Sequence, residues 1–552
     1  MPGATFQPSE AVDFLVIGAG AAGGVVAKEL SAAGFRVVVL EQGPYLHEKD
    51  YTHDEVKYTY QAGLTNDPKT QPITYRKNDS ETAQPRKAIE YGRQVGGGSV
   101  HFTANYWRFH ESDFRERSLY GAVPGTGLAD WPIQYADLEP YYTKAEYELG
   151  ISGLAGANPF EAPRSKPYPL PPMPVKSSGV LFERAARKLG LHPYPAPVAI
   201  LSQPYRGRAA CVHCGFCESF GCEMGAKSST LVTVIRAAEK TGRCEIRPDS
   251  YVRKIETDAR GRVAGAVYFD SRRREILQRA KAMVLCANGV ETARLLLLSQ
   301  SKAFPHGLAN SSGLVGRYLM WDNGAFASGL FDHPLNEYKS IQATRVLHDY
   351  YEADPKRGFY GGGGIDARFD YYPASFALSG LPDSAPKWGA EYKQALRTYF
   401  THTMGLLSHS SSLPQERNYI SLDPVVRDAW GLPAVRVTFD FHPDDLATMR
   451  WLLAKQVEIL ETAGAKKIWT MGFSIEDNMP SRHLMGTCRM GNHPQRSVVD
   501  RFHRAHDVPN LLIVDGSSFV TSARQQPTAT IQALAYRAAD FAIQAAKRGE
   551  LA

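Results

Sequence analysis

Short apolar runs broken by glycine fill the first forty residues. Asp13 to Ile17 reads as a buried strand, Ala21 to Ala32 as a helix behind the glycines Gly18, Gly20 and Gly23, and Arg36 to Leu40 as a second strand. That is a βαβ unit opening a doubly wound sheet, so the predicted fold class is α/β. Strand patterning returns over residues 244–255 and 263–269, and a continuous apolar strand at 282–286 leads into a helix over 289–299. From about Gly313 to Trp469 the pattern changes to aromatic-rich strands, a glycine run Gly361 to Gly364, and one helix over 445–463 that sets Leu446, Met449, Leu453, Val457 and Leu460 on one face. This part predicts a separate α+β substrate domain built on an antiparallel sheet. The proline-rich stretches 159–174 and 192–197 read as extended linker, because proline fixes φ and lacks an N–H. The organisation predicted is a nucleotide domain of 10–110, 200–312 and 480–552, linker and cover segments over 111–199, and a substrate domain over 313–479.

Composition narrows the functions open to such a chain. Its 552 residues suffice for two or three domains, with 43% hydrophobic and 22% charged residues. A net charge of +6 spread over that length excludes a nucleic-acid surface. No run approaches the roughly 18–20 apolar residues of a spanning helix, and the first ten residues lack a basic stretch followed by an apolar one, so no membrane span or export signal of its own is expected. Of seven cysteines, Cys244, Cys286 and Cys488 stand alone and read as small buried hydrophobes.

The other four crowd into Cys211-Val-His-Cys214-Gly-Phe-Cys217-Glu-Ser-Phe-Gly-Cys222. Soft thiolates converging from a short loop suit zinc, copper(I) or an iron–sulfur cluster. The spacing is C-x2-C-x2-C-x4-C, one residue longer in its last gap than the bacterial ferredoxin pattern, with Glu223 where that pattern has proline. The departure allows a cluster held by three of the four thiolates. A closed tetrahedral zinc site and a free thiol cluster stay open beside it, and His213 reads as a loop residue.

Gly18-Ala-Gly20-Ala-Ala-Gly23, between strand and helix, aims backbone N–H groups at a pyrophosphate. Glu41, ending the second strand, can accept from a ribose diol and disfavours a 2'-phosphate, so FAD or NAD fits better than NADP. A second glycine-dense loop, from Gly92 through Gly97, Gly98, Ser99 and His101 to Asn105, suits backbone lying against a flat ring system. His483-Leu-Met-Gly-Thr, then Asp515-Gly516, then Gln526-Pro527-Thr528 complete the set.

In this order the motifs resemble the glucose-methanol-choline (GMC) oxidoreductases, over both ends and much of the middle of the chain. The resemblance implies a glutathione-reductase-like FAD domain plus a substrate domain, with Gly18, Gly20, Gly23, Glu41, Gly97, Gly98, His101, Asn105, Asp515, Gly516, Pro527 and Thr528 around the cofactor. It assigns His483 to take the substrate hydroxyl proton while hydride passes to flavin N5. The family usually has His or Asn where this chain has Gln526, a residue that can share a hydrogen bond but cannot act as base. His101 is similar in place to the histidine that a pyranose-oxidase branch bonds to the flavin, so covalent attachment and a ring contact are both open. The loop Cys211, Cys214, Cys217, Cys222, running to Lys227, resembles the flavoprotein subunits of gluconate 2-dehydrogenase and glucoside 3-dehydrogenase, which implies a [3Fe-4S] cluster. It further implies oxidation of a glucoside or related sugar to a 3-keto sugar. The implied partners are a small subunit with a twin-arginine signal and a cytochrome c or quinone acceptor, with a periplasmic place or one at the inner membrane; a cytoplasmic place is the alternative. Gluconate or glucose oxidation, an oxygen-using enzyme with structural zinc, and a non-catalytic flavin scaffold are the competing readings.

Overall fold

The computed structural model describes residues 4–321, 324–472 and 481–551; the last part of the expected substrate domain, 473–479, lies outside them. The largest sheet is parallel in its core, in the order Cys244–Arg247, Val37–Leu40, Val12–Ile17, Glu275–Leu285, with Leu511–Ile513 also pairing with Glu275–Leu285. Glu275–Leu285 does two jobs. Its first half alternates exposed and buried residues and pairs antiparallel with Val263–Phe269, which in turn pairs with Tyr251–Thr257. Its second half, Ala282 to Leu285, is buried throughout, as a strand covered on both faces must be. The sequence reading of a single long strand over 244–255 divides into two, at Pro248 and Asp249, the latter with φ of +50°.

Helix Ala21–Ala32 packs on this sheet, and two further helices lie together beside it, Thr528–Lys547 and Tyr135–Leu149. Tyr142 and Thr530 share a hydrogen bond of 2.6 Å, and Tyr536 donates to Glu148 at 2.9 Å. Tyr135–Leu149 does not follow from the residue pattern, because Pro140 interrupts its apolar spacing. Asp137 marks its start by accepting from the Gln134 N–H at 2.9 Å.

A six-stranded antiparallel sheet runs Lys467–Gly472, Ala325–Leu330, Thr403–Ser410, Gly363–Arg368, Ala343–Leu347, Tyr194–Pro195. Pro195 sits on the edge strand, where its missing N–H costs no ladder bond. A four-stranded sheet joins Tyr419–Arg427 and Pro433–Thr438 to Ile73–Arg76 and Gln84–Pro85. Segment 111–199, expected as linker and cover, therefore carries helices and an edge strand, and two strands from the expected nucleotide segment 10–110 complete a sheet with residues 419–438.

Helix Pro443–Ala463 covers the six-stranded sheet together with Ser177–Lys188; Phe182, Ala185 and Ala186 share a core with Leu452, Ile459 and Leu460. Its buried stripe runs Asp445, Thr448, Met449, Leu452, Gln456, Ile459 and Leu460, rotated from the expected Leu453–Val457 line. Polar anchors turn it: Gln456 Nε2 donates to Ala325 O at 2.8 Å, and Asp445 accepts from the N–H groups of Leu413 and His442. Among the described residues no helix is long and apolar enough to cross a membrane.

Candidate active site

A cavity of about 930 Å³ opens between the parallel sheet and the six-stranded sheet, a size that suits a cofactor with a small substrate. Its wall gathers Gly18, Gly20, Glu41, Gly97, Gly98, His101, Asp515, Gly516, Pro527 and Thr528 with His483 and Gln526. Two residues expected at the cofactor do not line it. A Cβ on Gly23 would fall 1.9 Å from Gly18 O, so this glycine lets helix and turn close on each other. Asn105 is buried without a hydrogen-bond partner for either amide atom, and its backbone bridges to Val198.

The two glycine loops form one cradle. Gly18 holds φ at +92°, and a Cβ there would meet Cys286 O at 2.4 Å. A Cβ on Gly97 would meet Gly20 Cα at 2.7 Å, so only bare backbone fits where the loops touch. The N-terminus of Ala21–Ala32 has no side-chain cap, leaving N–H groups and the positive end of the helix for an anionic ligand. Glu41, 5% exposed, accepts from the N–H groups of Ala19 and Gly43 at 3.0 Å each; burial nevertheless pushes its carboxyl up to about 7. Asp515 accepts from Thr292 Oγ1 at 2.6 Å, Ser517 N at 2.8 Å and Asn288 N at 3.1 Å, and burial raises it as well.

His101 follows the turn Gly97–Val100, and its Nε2 is buried without a protein partner. Burial, helped by the charges of Arg482 and Lys227, pushes the imidazole down to about 4, so it is neutral at physiological pH. An orphaned, uncharged ring nitrogen on the cavity wall fits a flavin either as a bonded nucleophile or as a ring contact.

His101 O accepts from the Ser219 N–H at 2.7 Å, which ties the cysteine loop to the cavity; Glu218 and Ser219 form part of its wall. Lys227 fastens the loop from inside, its buried Nζ donating to the carbonyls of Cys217 at 2.5 Å, Phe220 at 2.8 Å and Phe102 at 3.2 Å. Cys217 is buried, Cys211 and Cys222 half-buried and Cys214 exposed. The thiols lie close enough to feel one another's charge, but burial dominates, raising Cys211 and Cys214 and pushing Cys217 up to about 12. Among the described residues no three Cys, His, Asp or Glu side chains converge as a ready metal site. The expected ligand set is thus gathered in one loop without a shared point.

His483, half-buried, reaches the cavity beside Arg482, which pairs with Glu90 at 2.9 Å and also with Glu218. Gln526 is 5% exposed, its Nε2 against the imidazole of His409 and its Oε1 without a partner. Asp366, Arg368 and Asp370 fall in the glycine- and aromatic-rich segment 358–372, a composition common in sugar sites, whereas nothing in the motifs points to His409; all but Asp366 line the cavity with Phe326, Tyr371, Tyr372 and Met471. One signal was available for His409. Thr403–Ser410 is buried at every position, yet its apolar run ends in Ser-His-Ser, polar groups where a covered strand should have none.

Two family profiles, both described as GMC oxidoreductase, match residues 12–320 and 414–535. A 2-methyl-1,2-propanediol dehydrogenase of Mycolicibacterium austroafricanum is 35% identical, over 97% of this chain and 95% of that protein. The gluconate 2-dehydrogenase flavoprotein of Pantoea cypripedii is 30% identical, over 95% and 92%. Among solved structures, pyridoxine 4-oxidase from Mesorbium loti superposes with a TM-score of 0.63 at 18% identity, over 96% of this chain and 98% of that one.

Proposed function

The chain belongs to the GMC oxidoreductase family, flavoproteins that oxidise CH–OH donors, and from that premise we propose that it is a dehydrogenase oxidising a secondary hydroxyl of a glucoside or related sugar to a 3-keto sugar. One observation carries the reading: the dinucleotide cradle, the neutral unpartnered His101 and the pair His483 and Gln526 open on a single cavity. Gly18, Gly20 and the N-terminus of Ala21–Ala32 would hold the pyrophosphate of FAD, Glu41 a ribose diol, and Gly97, Gly98, His101, Asp515, Gly516, Pro527 and Thr528 the remainder. When bound, FAD supplies the hydride acceptor. His483 takes the hydroxyl proton onto its imidazole as the carbon–oxygen double bond forms. Tyr371, Tyr372, Phe326 and Met471 give the same cavity an apolar and aromatic wall.

A cluster held by three of Cys211, Cys214, Cys217 and Cys222 would supply a one-electron route out of the site. Four thiols within twelve residues, fastened by Lys227 and touching the cavity through Glu218 and Ser219, support a [3Fe-4S] cluster beside the flavin. A one-electron centre there suits a dehydrogenase that reduces a cytochrome c or quinone. The proposal further includes a small signal-bearing subunit and a periplasmic place. A small 1,2-diol is the second reading of the substrate, favoured by the 35% identity to a diol dehydrogenase along 97% of the chain.

Anaerobic mixing of the flavin-loaded protein with methyl β-glucoside, gluconate, glucose and 2-methyl-1,2-propanediol tests both readings. Bleaching of the flavin by the glucoside, with a 3-keto product, is expected. Bleaching by the diol alone would move the assignment to the second reading, and no bleaching by any of the four would contradict both.

A further inference from the structure

We infer that Thr487 and Gly289 are positioning residues that hold His483 in register with the cofactor end of the cavity. The Thr487 hydroxyl anchors the backbone against which the His483 turn rests, and Gly289 lacks the side chain that would push that turn away. This rests on the reading of His483 as the group that receives the proton of the reacting hydroxyl.

Residues 481–488 carry His483 past the cavity as neither helix nor strand, so their place is set by what other parts of the chain do to their backbone. Ser481 bridges to Ile89: its N–H donates to Ala88 O at 3.0 Å, and its carbonyl accepts from Glu90 N at 2.8 Å. Met485 bridges to Met320 through two backbone bonds of 2.9 Å each. Gly486 N then donates to Gly516 O at 3.0 Å, and Cys488 N to Ser517 O at 2.8 Å. The chain is thereby fixed on both sides of His483.

Next to His483, the Leu484 carbonyl lies where two glycines would carry side chains. A Cβ on Gly289 would fall 1.9 Å from Leu484 O and 2.4 Å from its carbon, and one on Gly516 would fall 2.4 Å from the same oxygen. The peptide after His483 and Leu484 is therefore packed between two bare Cα atoms, an approach open to glycine alone. Gly289 is itself held in place. Thr487, fully buried, donates its hydroxyl to Gly289 O. On the other side Asn288, with φ of +83°, donates its N–H to Asp515 Oδ2 at 3.1 Å and accepts at Oδ1 from Val290 N at 2.9 Å and Glu291 N at 3.1 Å. A continuous series of contacts thus runs from Asp515, on the cofactor side, through Asn288 and Gly289 to Leu484 and His483, and the Thr487 hydroxyl closes it from the His483 segment back to Gly289. Proton transfer depends steeply on such placement, since a shift of about 1 Å can cost about a hundredfold in rate.

The test is anaerobic stopped-flow reduction of the bound flavin by the best substrate, which gives the limiting rate at saturation and the substrate dissociation constant separately. Thr487→Val keeps the shape and removes the hydroxyl; it should lower the limiting rate about tenfold, one hydrogen bond's worth, with flavin content and dissociation constant unchanged. Thr487→Ser, which keeps the hydroxyl, should retain most of the rate. Gly289→Ala would force the Leu484 carbonyl aside and should cost about a hundredfold. Both residues act through the imidazole, so Thr487→Val added to His483→Ala should slow the reduction no further. An unmodified rate in Thr487→Val, equal losses in Thr487→Val and Thr487→Ser, or a further loss on the His483→Ala background would overturn the inference; should Gly289→Ala not fold, the threonine variants still decide. A slow His483→Ala beside an unaffected Thr487→Val would overturn the inference alone, whereas His483→Ala at the unmodified rate would overturn the reading beneath it.

Discussion

A buried imidazole with an unpartnered nitrogen is costly unless a ligand completes it, and His101 is in that state with its ring neutral. If the completing bond is covalent, acid precipitation should leave the yellow colour in the protein pellet, and His101→Ala should release it to the supernatant. Free flavin from the unmodified protein would reduce the contact to packing. Glu41 makes a matching prediction at the other end of the cavity. It already accepts from two N–H groups at 3.0 Å, so Glu41→Arg would cost both the ribose contact and the turn that presents it. The purified variant should hold less flavin per protein by the ratio of visible to ultraviolet absorbance; equal content would remove Glu41 from the site.

Among the elements, those with local causes were legible in the sequence. Gly18, Gly20 and Glu41 announce the cradle because a phosphate turn and a strand-end carboxylate are fixed by residues close in the chain. His483 and Gln526 stood out through the motifs around them. The contact of His409 with Asp366 did not, because it depends on which strand lies beside which, and no spacing encodes that register. The rotated face of Pro443–Ala463 has the same origin: Gln456 is polar in sequence and buried only because Ala325 O faces it. A further buried element hides in the turn before the C-terminal helix. Arg524, fully buried, pairs at 3.1 Å with Asp113 and with Glu116, and Tyr351 and Tyr360 donate to the same two carboxylates. Removing the cation alone strands two buried acids, so Arg524→Met should cost about 3–5 kcal/mol in denaturant unfolding. A loss under about 1 kcal/mol would mean that the network adjusts without it.

At the scale of the whole molecule, the cavity joins three kinds of structure: a nucleotide-binding sheet, an antiparallel sheet supplying Arg368 and His409, and a cysteine loop that touches both His101 and the cavity wall. That arrangement makes the metal content of the loop the property to measure on the assembled protein. Anaerobically purified protein should contain about three irons per chain and show the low-temperature magnetic resonance signal of an oxidised three-iron cluster, lost on adding substrate. Stoichiometric zinc without such a signal would make the loop structural and leave oxygen as the acceptor. Alcohol oxidation at His483 is the step on which the proposed function depends. Anaerobic stopped-flow reduction of the bound flavin by the best substrate tests this most directly: His483→Ala, at equal flavin content, should slow the bleaching by about a hundred- to ten-thousand-fold, and bleaching at the unmodified rate would contradict it.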